Sequence, residues 1–136
     1  MAALPGLMLL AASATSNPSA HCYPYEPEVV SLTGTLARDQ GAMTTDSAGR
    51  GPHEYFALRL NSPICTVARK DDEWNLARRV VRKVQLERAA DAALTDDKLS
   101  SSLGKPVQCQ GSLFFAKNSA HHTAVVMNVK DCGTIR

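Results

Sequence analysis

The chain has 136 residues, of which 44% are hydrophobic and 21% charged, and its formal net charge is +2. This length is enough for one hydrophobic core, and the composition is that of a folded domain, which excludes a disordered chain. A charge so close to zero argues against nucleic acid as a partner, because that function needs a strongly basic domain with clustered Lys and Arg.

Residues 1–20 predict a signal peptide. An apolar run from Ala2 to Ala12 is followed by small residues at 12 and 14, as a cleavage site requires, although no basic residue precedes the run. We place the cleavage between residues 14 and 20, and a single domain over 21–136. Because the run is too short to cross a bilayer, we expect a periplasmic or secreted protein with no membrane span.

Four cysteines in an exported chain of this size favour structural disulfides over metal or redox chemistry. The chain contains no C-x-x-C motif, the main signature of thioredoxin-like and zinc-ribbon proteins. From the residues alone, three pairings are open. The predicted disulfide residues are Cys22, Cys65, Cys109 and Cys132.

The first regular element follows an extended, proline-containing lead-in over residues 15–28. From Val29 the chain alternates apolar and polar residues, which predicts a half-buried strand. Gly34 lies inside this pattern and suggests a bulge or a sharp bend. Residues 39–54 contain three glycines and a proline without periodicity, and they predict a long loop that is a candidate functional loop.

The second predicted strand starts at Tyr55 and is broken by Pro63. Its alternation places Phe56, Leu58 and Leu60 inward, and Tyr55, Arg59 and Asn61 outward. Residues 70–95 are rich in helix formers, yet the pattern around 79–87 also fits a strand. We therefore predict a third strand over 79–87, with Val80, Val84 and Leu86 on its inner side.

A short helix is predicted next, with Asp97 as its N-cap and Gly104 just beyond its end. Alternation over 106–115 and over 121–129, around a turn at 116–120, then predicts a closing hairpin. The fold prediction is mainly β: a small five-stranded OB-like Greek-key barrel with one short helix between strands 3 and 4.

Four segments resemble a family of small exported proteobacterial proteins that carry a domain of unknown function. They are "CYPYEPEVVSLTGTL" (22–36), "FALRLNSPIC" (56–65), "VRKVQL" (81–86) and "LGKPVQCQGSLFFAKNSAHHTAVVMNV" (103–129). The chain departs from the family pattern at 39–54. The resemblance implies an OB-like barrel and export, and it implies no activity. It also implies a Cys22–Cys65 disulfide, which by subtraction pairs Cys109 with Cys132.

Hairpin geometry also makes Cys109 and Cys132 near neighbours, because a turn centred near 119–121 pairs residues whose numbers sum to about 240. Cys132, however, has the opposite parity to the inward residues Val125, Met127 and Val129. A one-residue offset changes the face of a strand, so the pairing predicts a bulge or a twisted strand end before Cys132.

A four-ligand metal site from Cys109, His121, His122 and Cys132 is excluded by the same hairpin. About eleven strand residues at about 3.3 Å each separate the cysteines from the histidines, whereas zinc bonds are about 2 Å long. A histidine pair helped by His53 or His21 is the remaining metal alternative. We predict no metal and no cofactor.

The chain shows no motif of an enzyme: no G-x-S-x-G, no H-E-x-x-H and no phosphate-binding glycine loop. OB barrels bind ligands across their second and third strands. The predicted ligand-binding residues are Tyr55, Arg59, Arg79 and Lys83, with Trp74 as the second aromatic residue near that face. The alternative is a solvated basic edge that discourages aggregation.

The function prediction is therefore an exported, non-catalytic binding module whose ligand is a protein or an envelope oligosaccharide. The alternative is an inhibitor or immunity-type protein that blocks an envelope-targeted enzyme or toxin by inserting the 39–54 loop. Nothing in the sequence specifies an oligomeric state.

Overall fold

The computed structural model describes residues 21–41 and 53–135. The predicted signal peptide and residues 42–52 of the predicted loop lie outside this part. The described residues form six strands and one short helix, which confirms a mainly β fold. The elements are β1 (Cys22–Pro24), β2 (Val29–Gly41), β3 (His53–Val67), β4 (Arg78–Arg88), α1 (Asp96–Ser101), β5 (Pro106–Phe115) and β6 (Val125–Thr134).

The strands form a single sheet in the order β1-β3-β2-β5-β6-β4, with a further pairing between β3 and β4. Each of the five longer strands therefore has two neighbours among them. The β4–β6 and β1–β3 pairs are parallel, and the other pairs are antiparallel. The apolar faces of these strands share one core with Tyr25, Leu94 and Leu99. Leu99 is the buried residue of α1, so the helix closes one side of this core.

The strand count differs from the prediction of five because β1 is an additional strand. It lies parallel to the end of β3, with Cys22 opposite Cys65. Three residues that include a proline show no alternation, so periodicity could not identify this strand. It forms because the disulfide and the β3 edge hold it.

Strands β2 and β3 extend further than predicted, into the segment assigned to a loop. Asp39 pairs with Tyr55 and Gly41 with His53, so residues 39–41 and 53–54 are strand. The sequence did not predict these strand ends, because polar residues at an exposed strand end give no hydrophobic alternation. The ends of β2 and β3 are set by their cross-strand pairing.

The predicted inner face of β4 was wrong at its start. Val80 is 56% exposed and Val81 is buried, because the β3–β4 register shifts on either side of Ile64. A shift of one residue changes which side chains face the core.

Two predictions for single residues, the N-cap of the helix and the role of Gly34, were corrected. The N-cap of α1 is Thr95, whose side chain accepts from the Lys98 N–H, and Asp97 lies in the first turn. Gly34 pairs with Val107 of β5 and begins the ladder to β3, and neither ladder shows a register shift there, so of the two predicted alternatives, a bulge or a sharp bend, the bulge is wrong. A Cβ at Gly34 would instead clash with the carbonyl oxygen of Arg59, so glycine allows a close approach of two backbones.

Both disulfides form as predicted, Cys22 with Cys65 and Cys109 with Cys132. The predicted irregularity before Cys132 is also present. Gln110 pairs with Asp131 but Gly111 pairs with Val129, which leaves Lys130 as the extra residue of a bulge. This bulge restores the inward direction of Cys132, which is buried in the core.

Two disulfides indicate an oxidising, extracytoplasmic environment. Within residues 21–41 and 53–135, no helix has the length and apolar character needed to cross a membrane.

Candidate functional site

Three of the four predicted ligand-binding residues meet around one carboxylate. Arg59 Nη2 lies 2.6 Å from Asp39 Oδ1, and Lys83 Nζ lies 3.0 Å from Asp39 Oδ2. Tyr55 is the cross-strand partner of Asp39, and Arg59 is opposite Lys83. Asp39, Tyr55, Arg59 and Lys83 are called the Asp39 cluster below.

The Asp39 cluster is charged at neutral pH. Burial by itself would raise the pKa of Asp39, but the bonds from Lys83 and Arg59 outweigh it and lower the pKa. Burial would likewise lower the pKa of Lys83, but its bonds to Asp39 and Tyr55 raise it. Because two cations share one carboxylate, the cluster keeps one excess positive charge. Of the two cations, Arg59 has a more exposed side chain than Lys83.

The ring of Tyr55 is not open to a ligand in the way the sequence suggested. Tyr55 is only 8% exposed, because His122 stacks on it with ring centroids 5.0 Å apart. Arg79 lies four positions before Lys83 on β4, about 13 Å along the strand. The structure thus brings Tyr55, Arg59 and Lys83 together, and Arg79 lies apart.

The turn before β6 covers this face and is held there by Gln85. The amide of Gln85 accepts from His122 N at 2.6 Å and donates to Ala120 O at 3.0 Å. The strand β6 starts at Val125, so the predicted start of this strand at residue 121 was wrong. Sequence reasoning missed Gln85 because a polar residue on an alternating strand is normally solvated.

The two adjacent histidines have different partners. His122 Nε2 lies 3.0 Å from His53 Nδ1, whereas His121 Nε2 lies 3.1 Å from Glu87 and its Nδ1 accepts from Lys117 N. Among residues 21–41 and 53–135, no three His, Cys, Asp or Glu side chains are grouped so that they could hold a metal ion. The histidines therefore act here as links between the turn and the strands.

The histidine contacts predict that stability decreases in mild acid. Burial, together with the nearby His53 and His121, lowers the pKa of His122 below its ordinary value of 6.5. Between that lowered pKa and about 6.5 the unfolded chain binds more protons than the folded one, so the free energy of unfolding decreases as the pH falls through this window. Urea unfolding followed by circular dichroism at pH 8, 6.5 and 5 measures the decrease.

His122→Gln is the matched variant for this measurement, because it removes the titrating ring and keeps a polar side chain. Its stability should depend less on pH over the same range, in which the Asp39 carboxylate stays ionised. Equal pH dependence in the wild type and in His122→Gln would contradict the prediction.

A second region lies on the loop between β3 and β4. Asp72 Oδ1 accepts from Trp74 N at 2.9 Å and from Asn75 N at 3.2 Å, as in the turns that Asp and Asn side chains stabilise. The bond from the Asn75 side chain, followed by that from Trp74 N, holds the pKa of Asp72 below its usual value. The carboxylate therefore stays ionised and keeps the turn closed.

Asn75 attaches this loop to the sheet. It is 3% exposed, its Nδ2 donates to Asp72 Oδ2 at 2.6 Å, and its Oδ1 accepts from Phe115 N at 2.7 Å. A longer contact of 3.5 Å joins Nδ2 to Glu26 Oε2. One buried amide thus connects the loop to the end of β5 and to the segment before β2.

Tyr25 attaches the other end of the loop. Its hydroxyl donates to Leu76 O at 2.5 Å and accepts from Thr66 Oγ1 at 2.9 Å. Thr66 Oγ1 in turn accepts from Arg78 N. Tyr25 is fully buried, and this burial raises its pKa. Buried polar groups that are all hydrogen-bonded give a rigid, specific geometry.

The anchored loop presents Trp74, which is 81% exposed, beside an open groove of about 570 Å³. We call this the Trp74 groove; it is lined by Glu26, Asp72, Trp74, Asn75, Ala116 and Lys117. Sequence reasoning named only Trp74 from this set. The Asp at 72, two residues before the tryptophan, is a local turn signal, but Glu26 and Lys117 come from distant segments and no local pattern could identify them.

Comparison with known protein families matches part of the chain. A protein-family model described as a domain of unknown function (DUF4431) matches residues 89–133. No curated protein matches the chain. The matched part contains Cys109, Cys132, both adjacent histidines and Lys117, but neither Trp74 nor the Asp39 cluster. Residues 89–133 of this chain are therefore similar to a family that is described only as a domain of unknown function.

Proposed function

We propose that this protein is an exported, non-catalytic binding module, whose ligand is a protein or an envelope oligosaccharide. The proposed architecture is an OB-like barrel formed by β2 to β6. It is supported by the pairings, which lead from β3 through β2, β5, β6 and β4 back to β3, and by the position of α1 between β4 and β5. OB-like barrels typically bind ligands through one face and the loops beside it.

Export is proposed from the signal-like residues 1–20 together with the two disulfides. The alternative, an inhibitor that inserts a loop, depends on residues 39–54. Residues 42–52 of that loop lie outside the described part of the chain, so the inhibitor stays a prediction from the sequence.

The observation that carries the proposal is the exposed ring of Trp74 on a loop anchored by buried polar groups. Tryptophan is normally well buried, and exposing its large apolar ring to water is unfavourable. The loop below the ring is held by Asn75 and Tyr25, so little conformational entropy remains to be lost when a ligand binds. A rigid, exposed aromatic residue is the kind of side chain that contributes most to binding at interfaces.

Affinity capture from an envelope extract tests this proposal, with the mature, oxidised protein immobilised. We expect the wild type to retain a ligand, and Trp74→Ala to retain at least about tenfold less, which corresponds to about 1.4 kcal/mol. Protein mass spectrometry and monosaccharide analysis identify the retained material.

Ile135→Ala is the matched control, because Ile135 is also an exposed apolar residue and lies near the C-terminal end of the described chain. This control should retain as much ligand as the wild type. Equal retention by the wild type and Trp74→Ala, or no retention by the wild type, would count against the proposal.

A further inference from the structure

We infer that the Trp74 groove binds a neutral or amino saccharide through one face of a sugar ring. This inference rests on the proposed binding function and names its ligand class. It is argued from the shape of the groove, its charge and the hydrogen-bonding groups around the ring.

The shape of the groove fits a small, ring-shaped ligand. Its volume, about 570 Å³, is within the range of about 300 to 1,000 Å³ that is typical of small-molecule sites. A specific protein partner would need an interface of about 800 Å² on each side, whereas residues 21–41 and 53–135 contribute six lining residues to this groove, around one exposed aromatic ring. The lining therefore favours a saccharide over a protein surface.

The carboxylates around Trp74 disfavour anionic ligands. Among the described residues that line the groove, Glu26 and Asp72 are acidic and Lys117 is basic. Asp71 and Glu73, which flank Asp72 in the chain, are exposed. The low pKa of Asp72 keeps it charged. Phosphates and uronic acids would be repelled by these carboxylates, and a protonated amino sugar would be attracted.

The groove also has the polar groups that sugar hydroxyls need. Lys117 Nζ and Glu26 Oε2 are 3.8 Å apart, and both side chains are substantially exposed, so their mutual attraction is weak. They can turn to a ligand, the ammonium as a donor and the carboxylate as an acceptor, and such charge-assisted hydrogen bonds are strong. An apolar ring beside these groups matches a pyranose, which has C–H bonds on its faces and hydroxyls at its rim.

A glycan array that carries neutral, amino and acidic glycans, followed by titration with the best-bound oligosaccharide, tests this inference. Trp74 is the only tryptophan of the chain, so its emission reports directly on the groove. We expect binding to neutral or amino glycans with a change in this emission. Isothermal titration should show at least about tenfold weaker binding for Trp74→Ala and a smaller loss for Trp74→Phe.

Variants at both candidate sites decide where the saccharide binds. Glu26→Gln and Lys117→Met should each weaken binding several-fold, whereas Arg59→Ala and Arg79→Ala should leave it unchanged. Loss of binding in Arg59→Ala with full binding in Trp74→Ala would overturn the assignment, and so would binding to acidic glycans alone.

Two outcomes separate this inference from the proposed function. If no glycan binds but an envelope protein is captured in a Trp74-dependent way, the saccharide inference fails and the binding module stands. If neither a glycan nor a protein depends on Trp74, both proposals fail.

Discussion

Replacing Cys109 and Cys132 together by alanine is expected to lower the free energy of unfolding by about 3 kcal/mol or more. The disulfide joins residues 23 apart in sequence, and chain-entropy arguments give about 3 to 4 kcal/mol for a loop of that size. Both sulfur atoms also belong to the core, so the alanines lose packing contacts as well. Urea unfolding without reductant, followed by circular dichroism, measures the change.

Tryptophan fluorescence is unsuited to this measurement, because Trp74 is already largely exposed in the folded state. The matched control is Gln110→Ala with Asp131→Ala, since these residues form the neighbouring cross-strand pair and are both exposed. This control should change stability by no more than about 0.5 kcal/mol per substitution. A cysteine variant as stable as the control would contradict the expected contribution of the disulfide.

Asn75→Ala is expected to destabilise the protein by about 1 to 3 kcal/mol and to weaken ligand binding as well. The substitution removes the acceptor of Phe115 N and the donor to Asp72. The Phe115 N–H, left without its acceptor, costs about 1 to 3 kcal/mol, whereas Asp72 keeps its bonds from Trp74 N and Asn75 N. The turn that holds Trp74 then loses its connection to β5, so the ring becomes mobile and binding must order it again.

Chemical denaturation measures the stability change, and hydrogen exchange of residues 72–77 measures the loosening of the loop. Asn61→Ala is the control, because Asn61 is an exposed asparagine on β3, and it should leave both measurements close to those of the wild type. A variant Asn75→Ala with normal exchange in the loop would show that the amide does not hold Trp74 in place.

The strands β2, β5 and β6 could be predicted from the sequence, because each buries one face and alternates in consequence. The parity of Cys132 predicted a bulge or a twisted strand end before it, since a disulfide to Cys109 cannot form from the opposite face, and the structure has a bulge at Lys130. The start of β4 could not be predicted in the same way. Val80 and Val81 are both apolar, and the register with β3 decides which of them is buried.

The residues of the candidate sites could likewise be predicted only in part from the sequence. Arg59 and Lys83 were predicted to share a face, and they do, because period-2 geometry places them opposite each other. The burial of Tyr55 was not predicted, because the ring that covers it comes from His122, 67 positions further along the chain. The role of Gln85 could not be predicted either, because a polar strand residue gives no signal in the sequence and its function here depends on its hydrogen bond to the turn before β6.

By itself, the sequence determined the β-rich class, the proximity of Cys109 to Cys132 and most strand positions, because alternation and hairpin pairing are properties of short segments. The Cys22–Cys65 pair was implied only by the resemblance to a family. Only the tertiary structure brought together the residues of the proposed binding site. The Trp74 groove combines Glu26, the turn at 72–75 and Lys117, three segments that are brought together by Asn75 and by the pairing of β3, β4 and β5 with their neighbours. Contacts between residues this distant in sequence depend on packing and register, and no local pattern encodes them.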